Sequence, residues 1–275
     1  MTENKVRIIR SKRDIFDINF RELWSYRELL YYLTWKEIKI RYKQTALGAV
    51  WAIIQPLFTM VVFTLIFGNL AKMPSDGVPY PIFSYTGLML WTYFSMSLTH
   101  SSTSLVMNSN LLSKIYFPRL LLPLSSCAVG LLDYGIASVI LVILMFYFQI
   151  APTFLILLIL IPLLLSFLLA SGLGFWLSAI CVKYRDVQYA IPFFIQLLLF
   201  SSPIIYPVSI TGNAYGWLLK LNPLTGIMTM QRACLLGTTI IDWATLGIST
   251  LITLLIFFSG LIYFKNYERE FADVI

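Results

Sequence analysis

The 275-residue chain is 59% hydrophobic and 12% charged, with a mean hydropathy of +0.80, which excludes an ordinary soluble domain. Several continuous apolar runs of about 20 residues read as membrane-spanning helices. Because they do not alternate, they exclude a β-barrel. The formal charge of +7 would suggest nucleic acid in a soluble protein; here it reads as a topology signal.

Residues 1–21 carry mixed charge and read as an irregular cytosolic tail. No apolar core of a signal peptide precedes residue 44, so no cleavable leader is expected. Over 22–44 the pattern turns helical. Trp24, Tyr31, Trp35, Ile38 and Tyr42 recur at helical spacing on one face, and Arg27, Lys36, Lys39 and Lys43 fall off it. Such a helix is expected to lie in the cytosolic membrane interface, the alternative being a surface helix packed on the bundle. Gly48, between Ala46 and Ala49, forms a joint into the first apolar run.

The transmembrane domain is expected over 45–265, with six spans. The first covers 48–70, bent by Pro56, and a turn-rich loop follows at 71–81. The second, 82–107, is rich in Ser and Thr, which can satisfy one another between helices or line a wet path. The connection 108–119 is polar to basic and long enough for one small helix before Pro118. Spans three and four cover about 120–149 and 152–180, and a charged turn at 181–189 leads to a shorter fifth span, 190–206. Between 207 and 239 lie half-length apolar pieces broken at Asn222-Pro223; pieces of about 10–14 residues re-enter or lie at the interface, here as a plug or gate against the outer leaflet. The sixth span is 243–264, and 266–275 is a second cytosolic tail. Of the 20 Lys and Arg, only Lys72, Lys220 and Arg232 fall opposite the arm, the two basic turns and the tail, which puts both termini in the cytosol.

Residues able to carry chemistry are few. Asp133 is the lone carboxylate in the apolar spans and no Lys or Arg lies in any span. It is either a proton or cation site, or an acid satisfied by Tyr134 or neighbouring hydroxyls. Cys127 and Cys181 read as small apolar fillers, whereas Cys234 is expected to face the extracytoplasmic side. Three such cysteines and the single His100 form no metal-ligand pattern. No P-loop motif occurs. The basic, aromatic turns 114–119 and 183–187 suit headgroup anchoring, and the first also suits docking of a cytosolic partner. Aromatic residues in the spans, among them Trp51, Phe58, Tyr85, Trp91 and Phe194, form lipid-facing belts or a sugar conduit; composition does not separate the two.

Six segments then occur in order: R-Y-K-Q-T-A-L-G-A-V-W-A-I-I-Q-P (41–56), V-P-Y-P-I-F-S-Y-T-G-L (78–88), K-I-Y-F-P-R (114–119), K-Y-R-D-V (183–187), S-P-I-I-Y-P (202–207) and N-P-L-T-G-I (222–227). Together they resemble the permease of bacterial polysaccharide ABC exporters of the O-antigen type, within the type-2 export fold. The resemblance implies an all-α integral membrane protein of the bacterial inner membrane. It implies six spans, an amphipathic interface helix and two re-entrant gate helices near 215–221 and 223–236. Two copies would pair with two ATPase subunits; ATP and Mg2+ would sit on those partners, and no cofactor on this chain. The cargo would be a polyprenyl-diphosphate-linked glycan passing between the two permeases. Glu37 in the interface helix and Lys114, Ile115, Tyr116, Phe117, Pro118 and Arg119 in the coupling segment would meet the ATPase. Leu47 and Gly48 would border the entrance, where Lys39, Arg41 and Lys43 suit a diphosphate. Trp217, Asn222, Pro223 and Arg232 would belong to the gate.

Rival readings are a teichoic-acid exporter permease, an ion-coupled transporter using Asp133, and a membrane-embedded glycan-modifying enzyme. The last would need polar catalytic residues clustered at one membrane face, and the sequence offers scattered hydroxyls only.

Overall fold

A computed structural model describes residues 20–43, 50–112, 114–237, 241–268 and Phe271. Among these residues every regular element is helical: α1 Phe20–Ser25, α2 Arg27–Lys43, α3 Val50–Phe63, α4 Tyr80–Met107, α5 Ser109–Leu112, α6 Leu121–Tyr147, α7 Leu160–Lys183, α8 Val187–Ser201, α9 Gly212–Leu221, α10 Pro223–Leu236 and α11 Trp243–Tyr267. A π-helical stretch, Thr64–Leu70, extends α3, and a 3-10 turn, Phe154–Leu158, leads into α7.

Among the described residues, four helical stretches are long and apolar enough to cross a membrane: Ile53–Leu70, Leu121–Tyr147, Phe154–Lys183 and Trp243–Tyr267. The two other expected spans differ for separate reasons. Helix α4 has 28 residues, about 42 Å of helix, but its hydroxyls lower its apolarity. It can carry them because α3, α6, α7, α8 and α10 surround it, so neighbouring helices rather than lipid decide its composition. Helix α8 has only 15 residues, about 22 Å, and stops at Ser201 ahead of Pro203.

Helix α4 begins where Pro79 and Pro81 fix extended and then helical backbone, with proline in its first turn. Pro56 sits inside α3, and the π stretch a few residues later absorbs the irregularity of that helix. Helix α10 is closed at both ends. The Asn222 side chain accepts from the Leu224 N–H at 3.0 Å, and Gly237 ends the helix at φ 66°, the left-handed cap that suits glycine.

Packing in the bundle relies on small residues. A Cβ on Gly172 of α7 would lie 2.6 Å from the Phe257 Cα, and one on Gly260 of α11 would lie 2.3 Å from the Gly172 carbonyl oxygen. The two backbones therefore touch, and Trp176 stacks on Tyr263 at 4.1 Å beside the contact. Gly174 similarly admits Ser101 of α4, and Gly130 of α6 admits Ser97 and Tyr93. Close approach of this kind holds membrane helices together by dispersion and interhelical polar contacts.

Two cores result. The larger joins α4, α6, α7 and α10. The smaller lies at the basic end, where Leu33 of α2, Phe117 and Leu120 of the connection, and Phe264 and Phe271 near the C-terminus meet. The arm, the 114–120 connection and the end of α11 thus share one end of the molecule. All three cysteines are buried and free; Cys234 lies within α10 at 0% exposure, not facing a compartment, because α10 packs inward on α4, α7 and α11.

Candidate functional site

Helix α2 lies along α6. Its Leu33 is buried, while its Tyr31 and Trp35 and Trp24 of α1 are exposed. Of the expected aromatic face, Trp24, Tyr31 and Trp35 point away from the protein, with Tyr31 stacked on Trp35 and cations of Arg27 and Lys39 over Trp24 and Trp35, whereas Ile38 and Tyr42 are half-buried. Another face docks on the bundle through α6, as the packed-helix reading expects.

Two polar contacts pin this docked face. Glu37 accepts hydrogen bonds from Ser125 at 3.3 Å and Ser126 at 3.2 Å. Two helical turns further along α6, the Asp133 carboxylate accepts from Arg41 and from the Tyr42 hydroxyl. Asp133 therefore has a cation partner after all, but it comes from the arm rather than from a span, and Tyr134 does not supply the bond. The side chains of Arg41 and Asp133 are 25% and 14% exposed, so the pair is partly shielded and worth more than a surface ion pair. The ion-coupled reading loses its free acid here. An Asp two turns beyond a Ser-Ser pair on one apolar helix, matched by Glu and Arg one turn apart on an arm, is the signal that could have found this contact.

Arg41 also lines two cavities. One, of about 190 Å³, lies among α2, α3, α4 and α6 with Trp51, Gln55, Tyr93 and Asp133 in its walls. The other, of about 480 Å³, lies between α2, α4 and α6 with Lys36, Glu37, His100 and Asn108. Of the expected entrance residues, Arg41 is drawn inward, whereas Lys39 and Lys43 are exposed; Leu47 and Gly48 lie outside the described residues.

Burial holds the Glu37 carboxyl above its usual value of 4.5, against the lowering effect of Ser126, Ser125 and Arg41. An acid whose folded pKa is raised releases its proton more readily when the arm is undocked. Docking thus weakens as pH climbs from about 4.5 through the folded pKa. Glu37→Gln is expected to hold the arm at least as firmly at neutral pH and to flatten that dependence. Protease accessibility of the arm between pH 4.5 and 7.5 reads this out; a Gln variant with the wild-type pH slope would contradict it.

In the coupling segment, the expected small helix is the four-residue α5, and 115–118 are irregular. Lys114, Ile115 and Tyr116 are exposed, Tyr116 at 84%, whereas Phe117 is buried as an anchor. Pro118 and Arg119 are half-buried. Arg119 is bound to the chain itself: its backbone N–H donates to Glu268 Oε1 at 3.1 Å, and its guanidinium donates to the Glu268 carbonyl. Lys265 pairs with the same Glu268 at 2.9 Å. The end of α11 thereby braces the segment and leaves residues 114–116 protruding.

At the other end, the break between α8 and α9 carries non-helical backbone that must find partners. Arg232 of α10, 2% exposed, donates to the carbonyls of Pro203 at 2.6 Å and Ile204 at 2.8 Å, and its guanidinium lies 3.7 Å from the Phe83 ring centroid. Tyr80 donates to the next carbonyl, Ile205, at 2.8 Å. Gly87 makes room, since a Cβ there would meet Arg232 Nη2 at 2.7 Å. Asn222, besides capping α10, donates to the Ser201 carbonyl at 3.1 Å and to Ser202 Oγ at 2.9 Å. Arg232 is thus a buried clasp, whereas Pro223, which opens α10 beside Asn222, is half-buried. Trp217 of α9 is exposed.

The five aromatic channel candidates separate into two groups. Trp51, Phe58 and Phe194 are exposed on α3 and α8. Tyr85 and Trp91 are 0% and 7% exposed within α4, and Tyr85 donates to the Ala137 carbonyl at 2.9 Å. They pack the bundle interior, because the central helix turns its rings toward its neighbours.

The arrangement has no catalytic constellation among the described residues; it has a docked arm, a braced protruding segment and a clasped backbone break. Residues 28–236 match the ABC-2 type transporter family, and the chain belongs to it. It is 28% identical over 258 residues to the O-antigen export system permease protein RfbA of Myxococcus xanthus, covering 93% of this chain and 98% of the relative. It is 25% identical to the protein of the same name from Klebsiella pneumoniae, covering 90% and 95%. The polysialic acid transport protein KpsM of Escherichia coli is 24% identical over 238 residues, 85% of this chain and 91% of the relative.

Proposed function

We infer that this chain is the permease subunit of an ATP-driven exporter of surface polysaccharide, of the O-antigen type. The observation that carries this reading is end-to-end similarity to permeases named for O-antigen export and for polysialic acid transport. It is joined to a fold that offers docking and bracing surfaces and, among the described residues, no catalytic constellation. Two copies assemble with two separate ATPase subunits that hold ATP and Mg2+. The cargo is a polyprenyl-diphosphate-linked glycan. The protein sits in the bacterial inner membrane with both termini in the cytosol, α4 and α8 completing six spans and α9 and α10 re-entering from the outer face. Their 10 and 14 residues measure about 15 and 21 Å, short of the ~30 Å of a hydrocarbon core.

The protruding Lys114, Ile115 and Tyr116, with the exposed aromatic face of α2, are the surfaces for the ATPase. Bracing by Glu268 supports this role, since a segment that transmits force must not yield. Motion of α2 would pass first to α6, through Glu37 and Asp133, and not only to α3 through the joint at Gly48.

Native mass spectrometry of the tagged chain, extracted gently from its own membranes, is expected to give two copies with two P-loop subunits. An Ile115→Asp, Tyr116→Asp variant should lose the ATPase while keeping its own fold. A lone chain or homodimer that never recovers an ATPase would overturn the reading. Loss of a polysialic acid-like polymer rather than O-antigen on deletion would move the cargo toward that of the polysialic acid relative.

A further inference from the structure

Arg41 faces two ways. On one side it holds Asp133 together with Tyr42. On the other it lines the cavity of about 480 Å³ that Lys36 and His100 also line, with Thr103 and Asn108 as neutral polar groups. The basic arm forms one wall of that cavity, and Ile40, Met107 and Val129 add apolar surface beside the polar groups, a mixture that suits a phosphate carried on an apolar chain. Around Arg41 stand Lys36 and Glu37 on its own helix, and the imidazole of His100 and the carboxylate of Asp133 on the helices packed against it. Glu37 is committed to Ser125 and Ser126.

We propose that Arg41 is an exchangeable cation: it pairs with Asp133 while this cleft is empty and turns to the phosphate of a membrane-anchored lipid when the cleft is filled. Lys36 and His100 complete the phosphate seat. A phosphate monoester or diphosphate offers more charge and more acceptor oxygens than one carboxylate, and the pair is open enough to exchange, Arg41 being 25% exposed. Loss of the Asp133 contact removes one of the two pins that hold α2 on α6, so occupation of the cleft loosens the arm. On the exporter reading, from which the cargo follows, this reports lipid-linked cargo to the surfaces that meet the ATPase. The shared chemistry is a lipid phosphate, whether of cargo or of bulk phospholipid.

The test uses the purified permease–ATPase complex, with geranylgeranyl diphosphate as probe and phosphatidylglycerol as competitor. Asp133→Asn and Tyr42→Phe, which weaken Arg41's resting contact or its support, should bind the probe several-fold tighter; Arg41→Ala and His100→Ala should bind it at least fivefold more weakly. Tyr42→Phe keeps both charges of the pair, so it reports even if Asp133→Asn disturbs docking of the arm. Unchanged affinity in Arg41→Ala, or weaker binding in both Tyr42→Phe and Asp133→Asn, overturns the proposal. Displacement of the probe by equimolar phosphatidylglycerol assigns the seat to bulk lipid and overturns the cargo-reporting role. A wild-type complex that assembles two-plus-two and exports glycan, yet binds neither lipid, overturns this inference and leaves the exporter reading standing.

Discussion

Arg232→Ala is expected to leave a permease that no longer survives extraction as a folded species, with export lost in the cell. The substitution strands the carbonyls of Pro203 and Ile204, each at about 1–3 kcal/mol when buried without a partner. It also removes the cation over Phe83, about 1–2 kcal/mol when desolvated. Relief of the cost of burying a guanidinium offsets part of this, leaving a net loss of about 3 kcal/mol or more. That is a large fraction of the stability of an ordinary domain. Arg232→Lys should fail nearly as badly, because one ammonium does not reproduce a planar fork reaching two carbonyls while lying on a ring. Fluorescence-detected size exclusion after a heat step measures this directly. An Arg232→Ala protein with the wild-type melting point would show that the broken backbone at 203–205 finds its partners elsewhere.

The second large effect falls on the contact between α7 and α11. Gly260→Val is expected to push the helices apart, since even a first methyl would sit 2.3 Å from a backbone oxygen and 2.9 Å from Trp176 Cδ1. No rotamer relieves a clash of Cβ with backbone, so the helices must separate, losing the Trp176–Tyr263 stack and the Trp176–Ser259 hydrogen bond of 3.2 Å. Overpacking of this sort costs about 1–3 kcal/mol or more, and Gly172→Val should match it from the other side. Gly247, also in α11, is the internal control, because a Cβ there meets nothing within 4 Å; Gly247→Ala should be neutral or slightly stabilising through helix propensity. If all three variants melt alike, the close approach of α7 and α11 is not what holds α11 in place.

Much of this was legible in the chain. The membrane class, the basic arm, the short connection at 108–119 and the half-length helices flanking Asn222-Pro223 all follow from local features. Apolar run length, proline, asparagine caps and charge bias act over a few residues, so their message survives without tertiary information. Helix α4 and helix α8 mark the edge of that legibility. Hydropathy asks whether a helix suits lipid, and α4 meets protein instead, so its ten serines and threonines say little about whether it crosses. Tyr85 and Trp91 were legible as aromatic residues in a span, but whether a ring lines a path or fills a core depends on which neighbours surround it.

What the sequence determined by itself is the kind of solvent this protein occupies and the order of its parts, because each residue's transfer cost and backbone preference is local. Tertiary structure alone decided the pairings. Asp133 read as a proton or cation site or as an acid held by Tyr134 or nearby hydroxyls, because its partners, Arg41 and Tyr42, lie more than 90 residues away on a helix outside the spans. Arg232 read as a gate residue, and its hold on the carbonyls of Pro203 and Ile204 could not be seen along the chain. Arg119 looked like part of a docking surface until Glu268 took it. In each case a charge that is costly to bury alone became affordable only through a partner distant in sequence, and such partners are chosen by the packing of helices, not by the residues beside them.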